Sequence, residues 1–84
     1  MKILGTSAAL SATTQFTTST AVYVANSSTS DSGTVTLRNA DDDADLGTLE
    51  VPPSTGVVIH MDAGQGLRGD ADLFGTQVDA NSGR

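Results

Sequence analysis

The sequence has no cysteine and only one histidine, His60. The absence of cysteine excludes disulfides, thiolate zinc sites and thiol redox chemistry within the chain. One imidazole also leaves no histidine cluster for zinc or copper, so we expect no cofactor of this kind. Among the devices that commonly stabilise small domains, association with other subunits remains.

Large side chains are scarce as well. The chain has 84 residues, of which 37% are hydrophobic and 4% aromatic, with no tryptophan. A domain of this size buries only about 60 to 65% of the surface that its unfolded chain exposes, so hydrophobic burial roughly offsets the cost of ordering. The composition therefore predicts one domain with a thin core that is stabilised by neighbours, as a homo-oligomer or in a larger assembly.

Basic residues are few, with four Lys and Arg against ten Asp and Glu, which gives a formal net charge of −6. This charge opposes binding to nucleic-acid phosphates and to anionic membranes. Apolar runs are far shorter than the ~20 residues of a membrane-spanning helix. Ile3 and Leu4 are followed by polar residues 5–7, which interrupt the apolar stretch that a signal peptide needs. We expect no nucleic-acid partner, no membrane partner and no secretion signal here.

The residues that are abundant favour extended structure. Threonine, serine, glycine and valine dominate, and apolar residues alternate with polar ones between clusters of turn formers. Strands spaced about 10 to 12 residues apart predict an all-β fold, a small antiparallel β-sandwich or barrel of about six to seven short strands. The predicted strands are 20–25, 33–38, 46–51, 57–61 and 73–78, with possible edge strands at 3–4 and 15–17.

The alternation also predicts which side chains face the core. Val35 and Leu37 share one face of their strand, and Leu49 and Val51 share one face of the next. The β-branched segment 57–61 is the best candidate for a central strand, and the glycine-rich segment 62–72 is predicted to be a loop. Within that loop, Leu67 is expected to pack into the core. The single domain, 1–84, would then comprise an arm or edge strands at 1–19, a β core at 20–78 and a flexible tail at 79–84.

The acidic cluster is the most suggestive candidate for a metal site. Asp41, Asp43 and Asp45 alternate as calcium ligands do in an EF-hand loop. The match ends there, because Leu46 stands where glycine is required and Pro52 where the bidentate glutamate should be. A solvated hairpin tip is the favoured interpretation, since blocks of like charge normally lie in water. A calcium- or carbohydrate-binding β-sandwich module, with this tip as its site, is the alternative.

Other motifs have simple explanations. Arg68, Gly69 and Asp70 spell a tripeptide that some adhesion receptors bind, but turn chemistry explains it, with Arg68 paired to Asp70 or Asp72. Residues 64–69 match a GxGxxG pattern, yet no helix is predicted after them to bind a phosphate. No nucleophile can be assigned to His60 by spacing. We therefore predict no enzyme, no cofactor and no small-molecule substrate.

Contacts with other proteins are the remaining possibility. Core packing is the default for the aromatic residues, although one of them on an exposed sheet face would anchor a neighbouring subunit. His60 is predicted to face away from the core, and arginine is enriched at interface anchors. The candidate interface residues are Ile3, Leu4, Phe16, Tyr23, His60, Arg68 and Phe74.

Four segments together resemble a known class of proteins. They are TAVYVAN at 20–26, TVTLRNADDDADLGTLEV at 34–51, VVIHMD at 57–62 and GLRGDADLFGTQV at 66–78, after a start rich in threonine and serine. This layout resembles that of short β-rich virion structural proteins of tailed phages, especially marine cyanophages. The chain departs from that pattern in its longer polyacidic tip and in lacking a basic closing segment.

The resemblance implies a place in the virion, after assembly in the host cytoplasm. The expected function is that of a capsid decoration or cement subunit that binds the major capsid protein through its exposed strands and N-terminal arm. Its acidic tip would then face solvent. The alternative is a structural component of the neck, tail or baseplate, with tail or neck subunits as partners.

Overall fold

A computed structural model describes residues 3–16, 21–41, 43–62 and 64–79. Within these ranges the chain forms strands and turns, and no helix there is long and apolar enough to cross a membrane. The strands are β1 (Ala8–Ala9), β2 (Thr14–Gln15), β3 (Ala21–Asn26), β4 (Gly33–Arg38), β5 (Asp45–Val51), β6 (Gly56–His60), β7 (Gly66–Gly69) and β8 (Leu73–Val78).

The strands form two antiparallel sheets of four. The first sheet has the order β1-β8-β3-β6, and the second has the order β2-β7-β4-β5. Successive strands alternate between the sheets except for β4 and β5, which form a hairpin. The all-β antiparallel prediction is confirmed as a small β-sandwich, with eight strands rather than six to seven.

Alternation along the strands places the core between the sheets. Val22 and Val24 are buried on one face of β3, while Tyr23 on the other face is half-buried. Val35 of β4 and Val51 of β5 are also buried, as predicted. The apolar residues of the two inner faces therefore form one core, whose buried members are Leu10, Phe16, Val22, Val24, Val35, Val51, Met61, Leu67 and Leu73.

Two predictions about strand positions were wrong. The segment 62–72, predicted to be a loop, contains β7, which pairs with both β2 and β4. Leu67 is fully buried as expected, but as part of this strand. Segment 57–61 was predicted to be central, yet β6 pairs with β3 alone among the described strands. β8 is central instead, because β-branched composition reports strand propensity and not the number of neighbouring strands.

One side of the sandwich is closed by the chain itself. The N–H of Leu10 donates to the Leu73 carbonyl in the first sheet (3.0 Å), and the Leu10 carbonyl accepts from Gly69 N–H in the second (2.6 Å). Leu73 packs directly against Gly69 and Gly33. A Cβ added to Gly69 would lie 2.6 Å from Leu73 Cδ1, and a Cβ added to Gly33 would lie 2.9 Å from Leu73 Cδ2. The two sheets are therefore tightly joined where β1 passes to β2.

The N-terminal residues follow the outer edge of the first sheet. Ile3 bridges to Val78, and the N–H of Leu4 donates to the Gln77 carbonyl (2.8 Å). This agrees with the predicted edge position of residues 3–4. The expected edge strand at 15–17 overlaps β2, while residues 17–20 and most of the predicted tail, 80–84, lie outside the described ranges.

Candidate functional site

The side of the sandwich opposite Leu10 is open. β5 is exposed from Asp45 to Glu50, and only Val51 is buried. Leu49 points toward the space between the sheets, as predicted, yet it is 47% exposed, so its expected burial was wrong. The reason is that the first sheet does not close over this part of β5.

An apolar cleft of about 190 Å³ lies between β5 and the first sheet. This volume is below the roughly 300 Å³ at which sites for small molecules usually begin. The cleft is therefore better suited to side chains of another protein than to a cofactor or metabolite. Its lining residues are Val35, Leu37, Gly47, Thr48, Leu49, Ile59 and Leu67.

The backbone of β5 forms an exposed sheet edge. Among the described strands it pairs only with β4, so one row of its N–H and C=O groups faces outward. Proteins usually protect such edges with lysine, proline or a bulge. Here a bulge occurs opposite the Leu37–Arg38 step and Pro52 follows the strand, but residues 46–49 between them carry no charge and no proline.

The acidic tip next to β5 is bonded within the protein. The Asn39 side chain donates to the Asp43 carboxylate (2.5 Å) and accepts from the Asp43 N–H (2.9 Å). Asp45 accepts from Arg38 and lies 3.6 Å from the Arg68 guanidinium, while Asp41 lies in an exposed turn. The described carboxylates and histidine do not come together in any group of three that could hold a metal ion.

The partner of Arg68 differs from the one predicted. Arg68 pairs with Asp45 across the second sheet, because β7 places it on the same face as Thr36 of β4. Asp70 instead accepts from the Thr34 N–H (2.9 Å). The Asp72 carbonyl accepts from the Ser27 N–H (2.9 Å). The turn that contains the tripeptide is therefore held by β4, and Arg68 belongs to the surface beside β5.

Four of the candidate interface residues share the outer face of the first sheet. The hydrogen-bonded ladder places Ile3, Val78, Ala21 and His60 in one row across the sheet. Two residues further along β3, Tyr23 lies between Thr76 of β8 and Val58 of β6. Phe74 lies opposite Ala25 on the same face. Cross-strand partners point to the same side of a sheet, so Ile3, Tyr23, His60 and Phe74 all lie on one face. We call these four residues, with Val58, the outer patch.

The other candidates lie elsewhere. Phe16 is buried in the core, so it is not on the surface of the subunit where an interface anchor would lie. Leu4 is 41% exposed beside Ile3, which is 69% exposed. The cleft and the β5 edge were not identified from the sequence as a surface. The signal available was the uncharged stretch LGTL between the acidic tip and Pro52.

Comparisons with models of protein families, with characterised proteins and with solved structures found no match to this chain.

Proposed function

We propose that this chain is a structural subunit of a phage particle, a capsid decoration subunit that binds the shell through the outer patch. The observation that carries the proposal is that Ile3, Tyr23, Val58 and Phe74 place apolar side chains on the outer face of the first sheet, although the second sheet already covers the other face. Ala21 and Val78 of this face are already buried within the subunit. A sheet with one face in water normally alternates apolar and polar residues. Here Thr76 and His60 are polar but their neighbours on this face are apolar, which is expected of a face that another protein covers.

The composition of the patch supports protein contact. Tyr23 and Phe74 are half-buried aromatic residues, and aromatic side chains are enriched among the residues that dominate binding energy. Ile3 adds an exposed apolar side chain at the edge. A thin-cored domain would gain stability from such docking, because a partner that binds only the folded state shifts the folding equilibrium.

Shell binding can be tested by co-sedimentation. The purified chain would be mixed with empty shells assembled from the major capsid protein of the same genome, and bound copies would be counted per capsid subunit. We expect saturable binding at a fixed ratio to the capsid subunit. If the chain binds purified tails with the copy number of a single ring, and does not bind shells, its function is that of a neck or tail component and not of a decoration subunit. Failure to bind either particle would refute the proposal.

A matched pair of variants tests the outer patch. Ile3→Ser combined with Val58→Thr removes apolar surface without adding charge, and we expect at least about tenfold weaker shell binding. Thr29→Ser, in an exposed loop, is the control and should bind like the wild type. Equal binding by all three proteins would show that the outer patch is not the contact.

A further inference from the structure

We propose that two copies of this chain pair through β5, edge to edge and antiparallel, about a two-fold axis beside Thr48. This contact uses the opposite side of the molecule from β1 and does not depend on shell binding by the outer patch. The exposed N–H and C=O groups of β5 are the hydrogen-bonding groups that such pairing would satisfy.

Symmetry restricts the register of this pairing. Residues directly opposite each other point to the same face, so a two-fold antiparallel ladder must place one residue opposite its own copy. With Thr48 at the axis, Gly47 lies opposite Leu49 and Leu46, the residue at the bulge, lies opposite Glu50, so the exposed residues 46–50 take part. With Leu49 at the axis, Gly47 would lie opposite Val51, which is fully buried, and Pro52, which has no N–H, would lie opposite Leu46. The axis beside Thr48 therefore uses the strand best.

The cleft supplies the apolar complement. A Cβ at Gly47 would have no described atom within 4 Å, so there is open space at this position of β5. In the proposed register, Leu49 of the second copy lies opposite Gly47, whose partner on the other side is Leu37 of β4. Each copy therefore places Leu49 beside the cleft of the other, and two half-exposed leucines leave water together.

The charges on β5 fit the same register. Asp45 lies beyond the bulge, outside the paired residues, and Glu50 lies opposite Leu46, so no carboxylate faces another directly. Glu50 of the second copy approaches the end of β5 where Arg38 and Arg68 converge on Asp45. The net charge of −6 on each copy still opposes association. Screening of that repulsion by salt should therefore tighten the dimer.

The expected affinity is modest. A pairing of the exposed residues 46–50, with Leu49 from each copy, is smaller than the roughly 1,200 to 2,000 Å² interfaces of stable complexes. We expect a dissociation constant of roughly 1 to 100 μM. On a scaffold that binds many copies, the high effective concentration would make such pairs persistent.

The axis position gives a direct test by sedimentation equilibrium. Thr48→Lys places two lysines opposite each other, and Thr48→Glu does the same with two carboxylates. Each variant alone should dimerise at least about tenfold more weakly than the wild type, because like charges directly opposite are destabilising. An equimolar mixture should restore dimers, since lysine then faces glutamate. Thr29→Lys, in an exposed loop, changes net charge equally and should not weaken association.

Several outcomes would overturn the proposal. If the wild-type chain stays monomeric at millimolar concentration, two copies do not pair through β5, and the partner of this edge is a strand of a different protein. Tighter pairing of Thr48→Lys would place the axis at Leu49, where the new lysine would face Glu50. Unchanged association of both variants would also refute the register. Circular dichroism checks that the variants fold, and shell binding by Thr48→Lys is measured separately, so loss of pairing and loss of shell binding are distinguishable.

Discussion

The two sides of this sandwich are built from similar residues but differ in packing. On the closed side, Leu10 links both sheets through its own backbone and Leu73 fills the space beside two glycines. On the open side, Leu49 borders a cleft and Gly47 has no described neighbour at its Cβ position. A leucine beside a glycine is thus a tight core contact at one side and an accessible surface at the other. The difference shows that the closed side provides the stability and that the open side is available for contacts.

The largest expected effect is on the closed side. Leu73→Ala removes a fully buried side chain that packs against Gly33 and Gly69. We expect a loss of about 2 to 5 kcal/mol in the free energy of unfolding, measured by urea titration. For a domain of this size such a loss could abolish folding, so Leu73→Met serves as the volume-conserving comparison, with an expected loss below about 1.5 kcal/mol. A small effect of Leu73→Ala would contradict the description of the closed side.

A second prediction concerns the buried Asn26, whose side chain joins β3 of the first sheet to β5 of the second. Asn26 is 4% exposed, and its side-chain amide donates to the carbonyls of Val51 (3.0 Å) and Asp31 (2.9 Å). Its carbonyl oxygen accepts from the Ser28 N–H (3.0 Å). Asn26→Ala removes the buried bond to Val51 and the two part-buried bonds to Asp31 and Ser28, and should cost about 1 to 3 kcal/mol.

Urea titration of Asn26→Ala is best compared with Ser27→Ala. The exposed Ser27 hydroxyl donates one bond to the Asp72 carbonyl (3.1 Å), so its loss should cost less than about 1 kcal/mol. Equal losses of stability in the two variants would show that the burial of Asn26 does not determine the cost of losing its hydrogen bonds.

A third prediction compares one glycine from each side. Gly69→Ala would bring a methyl group to 2.6 Å from the buried Leu73 side chain, and we expect a loss of about 1 to 3 kcal/mol. Gly47→Ala meets no described atom within 4 Å, and it should be neutral or stabilise the monomer by up to about 1 kcal/mol. Both values follow from urea titration at low protein concentration. A larger loss of stability in Gly47→Ala than in Gly69→Ala would refute the distinction between the closed and open sides.

The sequence predicted the fold class and most strands because alternation records which face of a strand is apolar. Val35 and Val51 illustrate this success. Alternation does not record how far the opposite sheet extends, so Leu49 was expected to be buried and is not. β7 was missed because glycine stands at both of its ends and usually indicates a turn. Glycine also occurs in strands where another backbone approaches closely.

The candidate site was less predictable than the fold. The outer patch depends on the register of β3, β6 and β8 and on the bridge of Ile3 to Val78, which place on one face residues as far apart in sequence as Ile3 and Phe74. Which strands lie at the sheet edges depends on the pairing order, and composition placed 57–61 at the centre although β6 is at an edge. Tyr23 and His60 were identified by residue type and alternation, whereas the β5 edge required the three-dimensional pairing.

The smallest expected effect lies on the open side and depends on protein concentration. Leu49→Thr replaces a half-exposed leucine with a residue of high strand propensity, so at high dilution the free energy of unfolding should change by less than about 0.5 kcal/mol. If copies pair through β5, the wild type gains apparent stability as its concentration rises, because dimerisation stabilises only the folded form. Leu49→Thr removes that gain, so its deficit relative to the wild type should grow with concentration in thermal melts. Thr29→Ser, in an exposed loop, should follow the wild type at every concentration. A deficit that is large at high dilution and constant thereafter would mean that Leu49 supports the monomer, and that the open side is part of the core.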